Sequence, residues 1–182
     1  MKQYLFFALN LLLALEGTSQ AKGDYMWQIG QNSHPQENPY ALSMVLDFNV
    51  LGINLDTFYR GMKMGYFNAS ISDVDGKLLV YSNGCQIKNG DHSNIPETMS
   101  LSPGETDFEW CLSNPSSGYP KFEGGLFISF FSDSIILLLH QRDYVLSNPT
   151  RIITDSLFYS SVQRDGDQYV LHEKTVPIVG DN

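Results

Sequence analysis

The side chains in this sequence that could do chemistry are few, and their spacing suits none of the common reactions. Four histidines, His34, His92, His140 and His172, stand far apart, without the short intervals that let two imidazoles share one metal ion. His140 ends an apolar run, where a histidine is most often hydrogen-bonded or exposed at a sheet edge. Asp73-Val74-Asp75-Gly76 and Asp165-Gly166-Asp167 gather carboxylates as calcium loops do. Neither is followed by the further oxygen ligands and the closing Glu that such a loop needs, so each reads as a hairpin turn. Serine is abundant, yet no G-x-S-x-G places one on a nucleophile elbow. Asp73, Asp91, Asp107 and Glu109 could converge as a glycosidase pair, but nothing in their spacing selects two of them. No catalytic residue, metal or cofactor is therefore expected.

The two cysteines and the aromatic residues are more informative. In an oxidising compartment Cys85 and Cys111 are expected to pair; the alternative is two buried thiols packed as small apolar groups. The bridge would close residues 90–110, which are rich in Asn, Pro, Ser and Gly and have little else to hold them. The chain-entropy model gives such a closure about 3–4 kcal/mol. Tyr25, Trp27, Tyr40, Tyr66, Trp110 and Tyr119 exceed what a small core requires. They either fill gaps between packed sheets or lie exposed, where rings stack on sugar faces and anchor protein interfaces. Trp110, beside Cys111 in a polar loop, is the candidate ligand contact. Asn68-Ala69-Ser70 matches a glycosylation sequon but falls inside an expected strand, where coincidence explains it.

Residues 1–21 bear on the compartment. Lys2, an apolar stretch over 4–15 and the small residues Ser19 and Ala21 form the pattern of a secretory signal peptide cleaved after Ala21. The apolar run falls short of the ~20 residues that span a bilayer, which disfavours the alternative of a membrane anchor. Residues 22–182 then form one domain with no membrane span. The full chain has 182 residues, of which 42% are hydrophobic, 13% aromatic and 17% charged, values that exclude a disordered tail or a rod. Its net charge of −9 repels phosphate backbones, so nucleic acid is excluded as a partner.

The elements that must position these residues are strands. Over 67–72, Phe67, Ala69 and Ile71 alternate with Asn68, Ser70 and Ser72, the period of a half-buried strand. The Asp73–Gly76 turn leads into an apolar strand over 77–82, and Asn83-Gly84 reverses the chain into a short strand over 85–88. A second meander starts at Gly124-Gly125, with strands over 126–131, 135–141, 156–163 and 169–173. Its alternative, a buried helix over 126–139, is weakened by Ser132-Asp133-Ser134 and by the Ile and Phe content. Residues 25–29 and 43–48 read as two further strands, separated by a loop over 30–39 and without hairpin partners nearby. Strands so apolar need cover on both faces, as in stacked sheets or propeller blades.

The run FNASISDVDGKLLVYSNGCQIKN, then GGLFISFF with SDSIILLLH, then SLFYSSV and a trailing V-x-P-I-like segment resemble the N-terminal region of large secreted Bacteroidetes proteins. Those proteins carry β-propeller blades with S-I-S-D, a D-G or N-G turn and L-L-x-Y-[ST]-N-G. Many end in a type IX secretion sorting domain or a gliding-motility-associated domain. The resemblance covers residues 27–178, and its motifs are strand and turn punctuation. Leu137-Leu138-Leu139-His140 keeps only the final residue of the family's aromatic Y-Y-L-F-H-like strand. It implies an all-β fold of about two blades of an incomplete ring, a fragment of a larger protein; the alternative is a small β-sandwich. The function so implied is a secreted or cell-surface non-catalytic binding or scaffold module with an extracellular protein or glycan partner; the alternative is a propeller-type hydrolase. N-terminal sequencing of protein exported with its leader is expected to begin at Lys22, and a product retaining Met1 would contradict the leader.

Overall fold

The computed structural model describes residues 25–30, 43–49, 52–58, 61–64, 67–112, 118–119, 125–147 and 150–179. The expected leader (1–21), most of the 30–39 loop, His34, Tyr40 and Tyr66 lie outside them. The described chain is all-β, in three open antiparallel sheets. Sheet I holds β1 (Met26–Gly30), β2 (Ser43–Asp47) and β3 (Asn54–Phe58); sheet II holds β4 (Ala69–Ser72), β5 (Leu78–Ser82) and β6 (Ile87–Asn89). Sheet III runs in the order β10-β9-β8-β7, from β7 (Leu126–Phe130) through β8 (Ile135–Ser147) and β9 (Thr150–Asp165) to β10 (Gln168–Val179). One short helical turn, α1 (Glu105–Asp107), continues into a π-helical turn at Phe108–Leu112.

The two expected meanders are thus three sheets. The supposedly lone strands over 25–29 and 43–48 pair with each other, Trp27 opposite Leu46, and β2 pairs onward with β3, Leu46 opposite Leu55. The sequence NLDTF of β3 carries too little apolar alternation to announce itself, because its described side chains are exposed. The hairpin over 126–139 is present, but β8 and β9 run well beyond the expected ends. Polar cross-strand pairs extend them: Arg142 forms a bidentate pair with Asp155, at 2.9 and 3.0 Å, and the Thr154 hydroxyl donates to Asp143 at 2.6 Å. Hydrophobic periodicity is blind to such a ladder.

The three sheets meet through their first strands, β1 against β4 and β4 against β7. At the first seam Ser70 donates to the Met26 carbonyl at 2.8 Å and the Asn68 amide donates to the Gln28 carbonyl, so both polar sequon residues serve as ties to β1. Every residue of β5 is buried. Ser72 pairs with Leu78 and Ile71 with Val80, which leaves Leu79 as an extra residue in β5. This bulge lets consecutive Leu79 and Val80 enter the large core with Phe127, Ile136, Leu138 and Val162 of sheet III, while Leu78 and Tyr81 pack with Met62, Met64 and Met26 towards sheet I.

Turn chemistry fixes the reversals. The Asp73 carboxylate accepts the backbone N–H groups of Asp75 (3.0 Å) and Lys77 (2.8 Å), the work of an Asx turn. Gly84 sits at φ 82°, and a Cβ there would lie 2.6 Å from that of Tyr119 and 2.8 Å from the Phe67 ring. Only glycine meets both demands.

Cys85 and Cys111 form a disulfide, with Cα atoms 5.2 Å apart. The segment it closes is better held than its composition suggests. Ser100 N–H bonds to the Cys85 carbonyl at 2.9 Å, and the Thr98 hydroxyl accepts from Ile87 N–H (3.2 Å) and donates to the Ile95 carbonyl (2.8 Å). Ile95 and Leu101 are core residues, and the Thr175 hydroxyl of β10 donates to the Leu101 carbonyl at 2.9 Å. The Cys85→Ala/Cys111→Ala protein is expected to lose about 3 kcal/mol of unfolding free energy in urea. An unchanged midpoint would mean that these contacts suffice without the bridge.

Candidate binding surface

The described site of most chemical interest lies on the helical turn that the disulfide anchors. Gly104 accepts the Phe108 N–H at 3.1 Å and starts the turn. Thr106, Asp107 and Cys111 point into the protein and are buried. The intervening residues must then face outward, and Phe108, Trp110 and Leu112 are 63%, 42% and 50% exposed. The disulfide ties one inward residue to Cys85 in the turn between β5 and β6, and the Ser100 hydroxyl donates to the carboxylate of another, Asp107. Burial raises the Asp107 pKa, partly offset by that hydrogen bond. Two aromatic rings and a leucine are therefore held on a short, doubly anchored turn, with Glu109 exposed among them. Rings so presented stack on sugar faces or insert into a partner protein.

Trp110, the ligand contact expected from the sequence, is one of these exposed side chains, on a helical turn rather than in an irregular loop. Phe108 and Leu112 were missed, because the sequence reads as a loop here; at i and i+4 in FEWCL they share one side of a helical turn. The other aromatic residues divide. Trp27 is exposed on sheet I, edge-on to Phe48 at 5.3 Å. Tyr119 is core: its N–H bonds to the Asn83 carbonyl at 2.9 Å, and its hydroxyl accepts the Asp143 N–H at 3.1 Å, joining sheets II and III. Burial, then the nearby Asp143 charge, pushes its pKa up.

The four carboxylates do not converge in their hydrogen bonding. Asp73 serves its own turn, Asp91 accepts from Ser93 and Gln168, Asp107 is bound by Ser100, and Glu109 faces solvent. Among the described residues no group of three or more His, Cys, Asp and Glu could hold a metal ion. No protein family model, curated protein or solved structure matches the chain. Any function must be argued from its own surfaces.

Two further places hold polar chemistry. Sheets I and II flank a cleft of ≈ 420 Å³, lined by Met26, Val45 and Leu78 with Asp47, Asp56 and His92 at its sides. His92 Nδ1 lies 3.0 Å from the Tyr81 hydroxyl, a structural bond. Inside sheet III, His140 sits between Ser160, 2.9 Å from Nε2, and Ser102, 3.3 Å from Nδ1. A serine beside an imidazole suggests a nucleophile, but all three side chains are buried and no substrate reaches them. The Ser160 oxygen is also occupied by Thr175 N–H at 2.9 Å.

Burial lowers the His140 pKa from 6.5 to about 4. Above pH 6.5 the imidazole is neutral in the folded and unfolded chain alike, and its contribution is complete. As pH falls from 6.5 towards 4 the unfolded chain takes up a proton that the folded one refuses, so stability falls by about 3 kcal/mol. Asp107 acts in the opposite sense, since its raised pKa favours folding where its carboxyl is protonated. Urea titrations across this window are expected to show the acid loss in the native protein, and the difference from His140→Gln isolates the histidine; identical slopes would refute the assignment.

Proposed function

We propose that this chain is an exported, non-catalytic binding module of three β-propeller-type blades, with Phe108, Trp110 and Leu112 as its ligand contact. The observation that carries the binding role is the exposure of three large apolar side chains on a turn held from behind by a disulfide and a buried carboxylate. Apolar surface costs stability in water unless a partner covers it, and a contact already rigid loses little entropy on binding. An extracellular glycan or protein suits these rings. Export is supported by the leader-like residues 1–21 and by the disulfide. Among the described residues no helix is long and apolar enough to cross a membrane.

The blade arrangement is supported by the succession of three meanders whose opening strands abut in order, β1 on β4 and β4 on β7. Sheets that start at a common axis and run outward, strand by strand, pack in this way. The resemblance to secreted Bacteroidetes propellers points the same way, with a type IX secretion route as its corollary. Screening on a glycan array and against extracellular proteins, followed by titration, tests the contact. Trp110→Ala and Phe108→Ala are each expected to raise Kd at least about tenfold, or 1.4 kcal/mol, with unchanged circular dichroism. A ligand bound equally well by both variants would move the site elsewhere, and turnover of a glycoside or ester would overturn the non-catalytic reading.

A further inference from the structure

The turn that joins β7 to β8 is strained, and a bulky ring stands on it. Phe131, Ser132 and Asp133 have φ 52°, 52° and 63°, three consecutive non-glycine residues in the left-handed region. Bonds from several sides hold them there. The Ser134 N–H donates to the Phe131 carbonyl at 3.2 Å, the Arg164 N–H to the Ser134 carbonyl at 2.9 Å and the Tyr169 hydroxyl to the Asp133 carbonyl at 2.7 Å, while the Ser129 hydroxyl donates to the Asp133 carboxylate. Glycine would relax this backbone, yet the first position carries a phenylalanine that is 78% exposed and adds little to the core. Strain of this kind collects at ligand sites, where the surrounding structure over-determines it.

Phe131 borders a hollow of ≈ 290 Å³ on the face of sheet III that alternates with its core residues. The lining changes character across the sheet. From β7 and β8 come Phe130, Ile135 and Leu137, whereas β9 and β10 supply Tyr159, Ser161, His172 and Glu173. Register sets the polar side, since Leu137, Ser161 and Glu173 stand in one row across three strands. Between Leu171, opposite Val162, and Glu173, opposite Ser161, β10 carries one residue more than β9. This bulge brings consecutive His172 and Glu173 to the hollow. The Tyr159 hydroxyl is hydrogen-bonded to the Glu173 carboxylate, and the Ser161 hydroxyl lies 3.5 Å from it, so the carboxylate is oriented. A carboxylate has about four lone-pair sites, and acceptor capacity remains.

We propose that this hollow binds one pyranose ring of an extracellular glycan, with the C–H face of the sugar on Phe131 and its hydroxyls on Glu173 and His172. The site goes beyond the turn contact proposed above and rests neither on it nor on the blade arrangement. Three observations select a sugar. A pyranose has an apolar face and a rim of hydroxyls, and the lining is divided in the same way; a wholly apolar ligand would strip water from Glu173 and His172 and give nothing back. A hydroxyl can donate to Glu173 and accept from the His172 imidazole, which always keeps an N–H, whereas an ammonium can only donate. From Leu137 to Glu173 is two strand spacings, roughly 10 Å, and the volume stands at the lower limit of the ~300–1,000 Å³ of small-molecule sites, so one ring fits and a chain does not.

Saturation-transfer difference titrations of the exported chain, disulfide intact, with a panel of methyl pyranosides and with choline as the cationic probe test this. At least one methyl pyranoside is expected to bind with a millimolar Kd, and choline is not. Glu173→Ala, with unchanged circular dichroism, is expected to weaken binding at least tenfold. Phe131→Gly is expected to weaken it equally while the urea midpoint holds or rises, because glycine relieves the positive φ; a ring needed for folding would lower the midpoint instead. Trp110→Ala leaves this binding unchanged, which separates the hollow from the helical turn. Silence of every pyranoside, binding indifferent to both Glu173→Ala and Phe131→Gly, or a preference for choline overturns the proposal. His172 is expected to react with diethyl pyrocarbonate in the full chain and to be shielded by the bound pyranoside. Shielding before any sugar is added would mean that another part of the protein fills the hollow, and it overturns the proposal as well.

Discussion

The rest of the structure depends on the burial of β5 from both sides. A strand with no solvent-facing side chain can exist only between two layers, and the loss of either layer would return Leu79 and Val80, or Leu78 and Tyr81, to water. At about 25 cal/mol per Å² of apolar surface, each exposed side chain costs on the order of 2 kcal/mol. This requirement places sheet I on one side and sheet III on the other. The bulge at Leu79 divides the strand between its two cores by shifting the alternation part-way along.

Packing alone does not align sheets, and polar ties supply the registry. Asn68 and Ser70 reach from β4 to carbonyls of β1, and Asn49 Nδ2 donates to the Gly76 carbonyl at 2.8 Å. Between sheets II and III, Tyr119 spans from Asn83 to Asp143, and Asn89 Oδ1 accepts the Tyr169 N–H at 2.8 Å. Each is a directional bond in or near an apolar layer, where a wrong register would leave a buried polar group unpaired at about 1–3 kcal/mol. His140 belongs with these ties. Its two serine contacts hold a neutral ring between β9 and the irregular segment around Ser102, and the burial that makes it useful there denies it any solvent-facing chemistry.

The same division of labour holds the turn over Glu105–Leu112 in place. A turn of eight residues has too little hydrogen bonding to stand alone, and its inward residues supply what is missing: Asp107 through Ser100, Cys111 through Cys85. Its outward residues Phe108, Trp110 and Leu112 are left exposed.

Much of the architecture was legible in the sequence. Turn chemistry at Asp73–Gly76, Asn83-Gly84 and Asp165–Asp167, with period-two alternation between them, determined the all-β class and most hairpins, because those signals act over a few residues and do not depend on context. The pairing of Cys85 with Cys111 was likewise expected, whereas for Trp110 the sequence left open whether the ring fills a gap between sheets or lies exposed. Tertiary structure alone decided the rest. Strand β3 exists because β2 offers it an edge, β8 and β9 extend because Arg142 meets Asp155 across the ladder, and Tyr119 became core because two sheets meet at its position. The carboxylates, equal in the sequence, were separated by their places in the fold. Local periodicity reports what one segment prefers; partnership between distant segments is set by which faces must leave water together, and that is a property of the assembled layers.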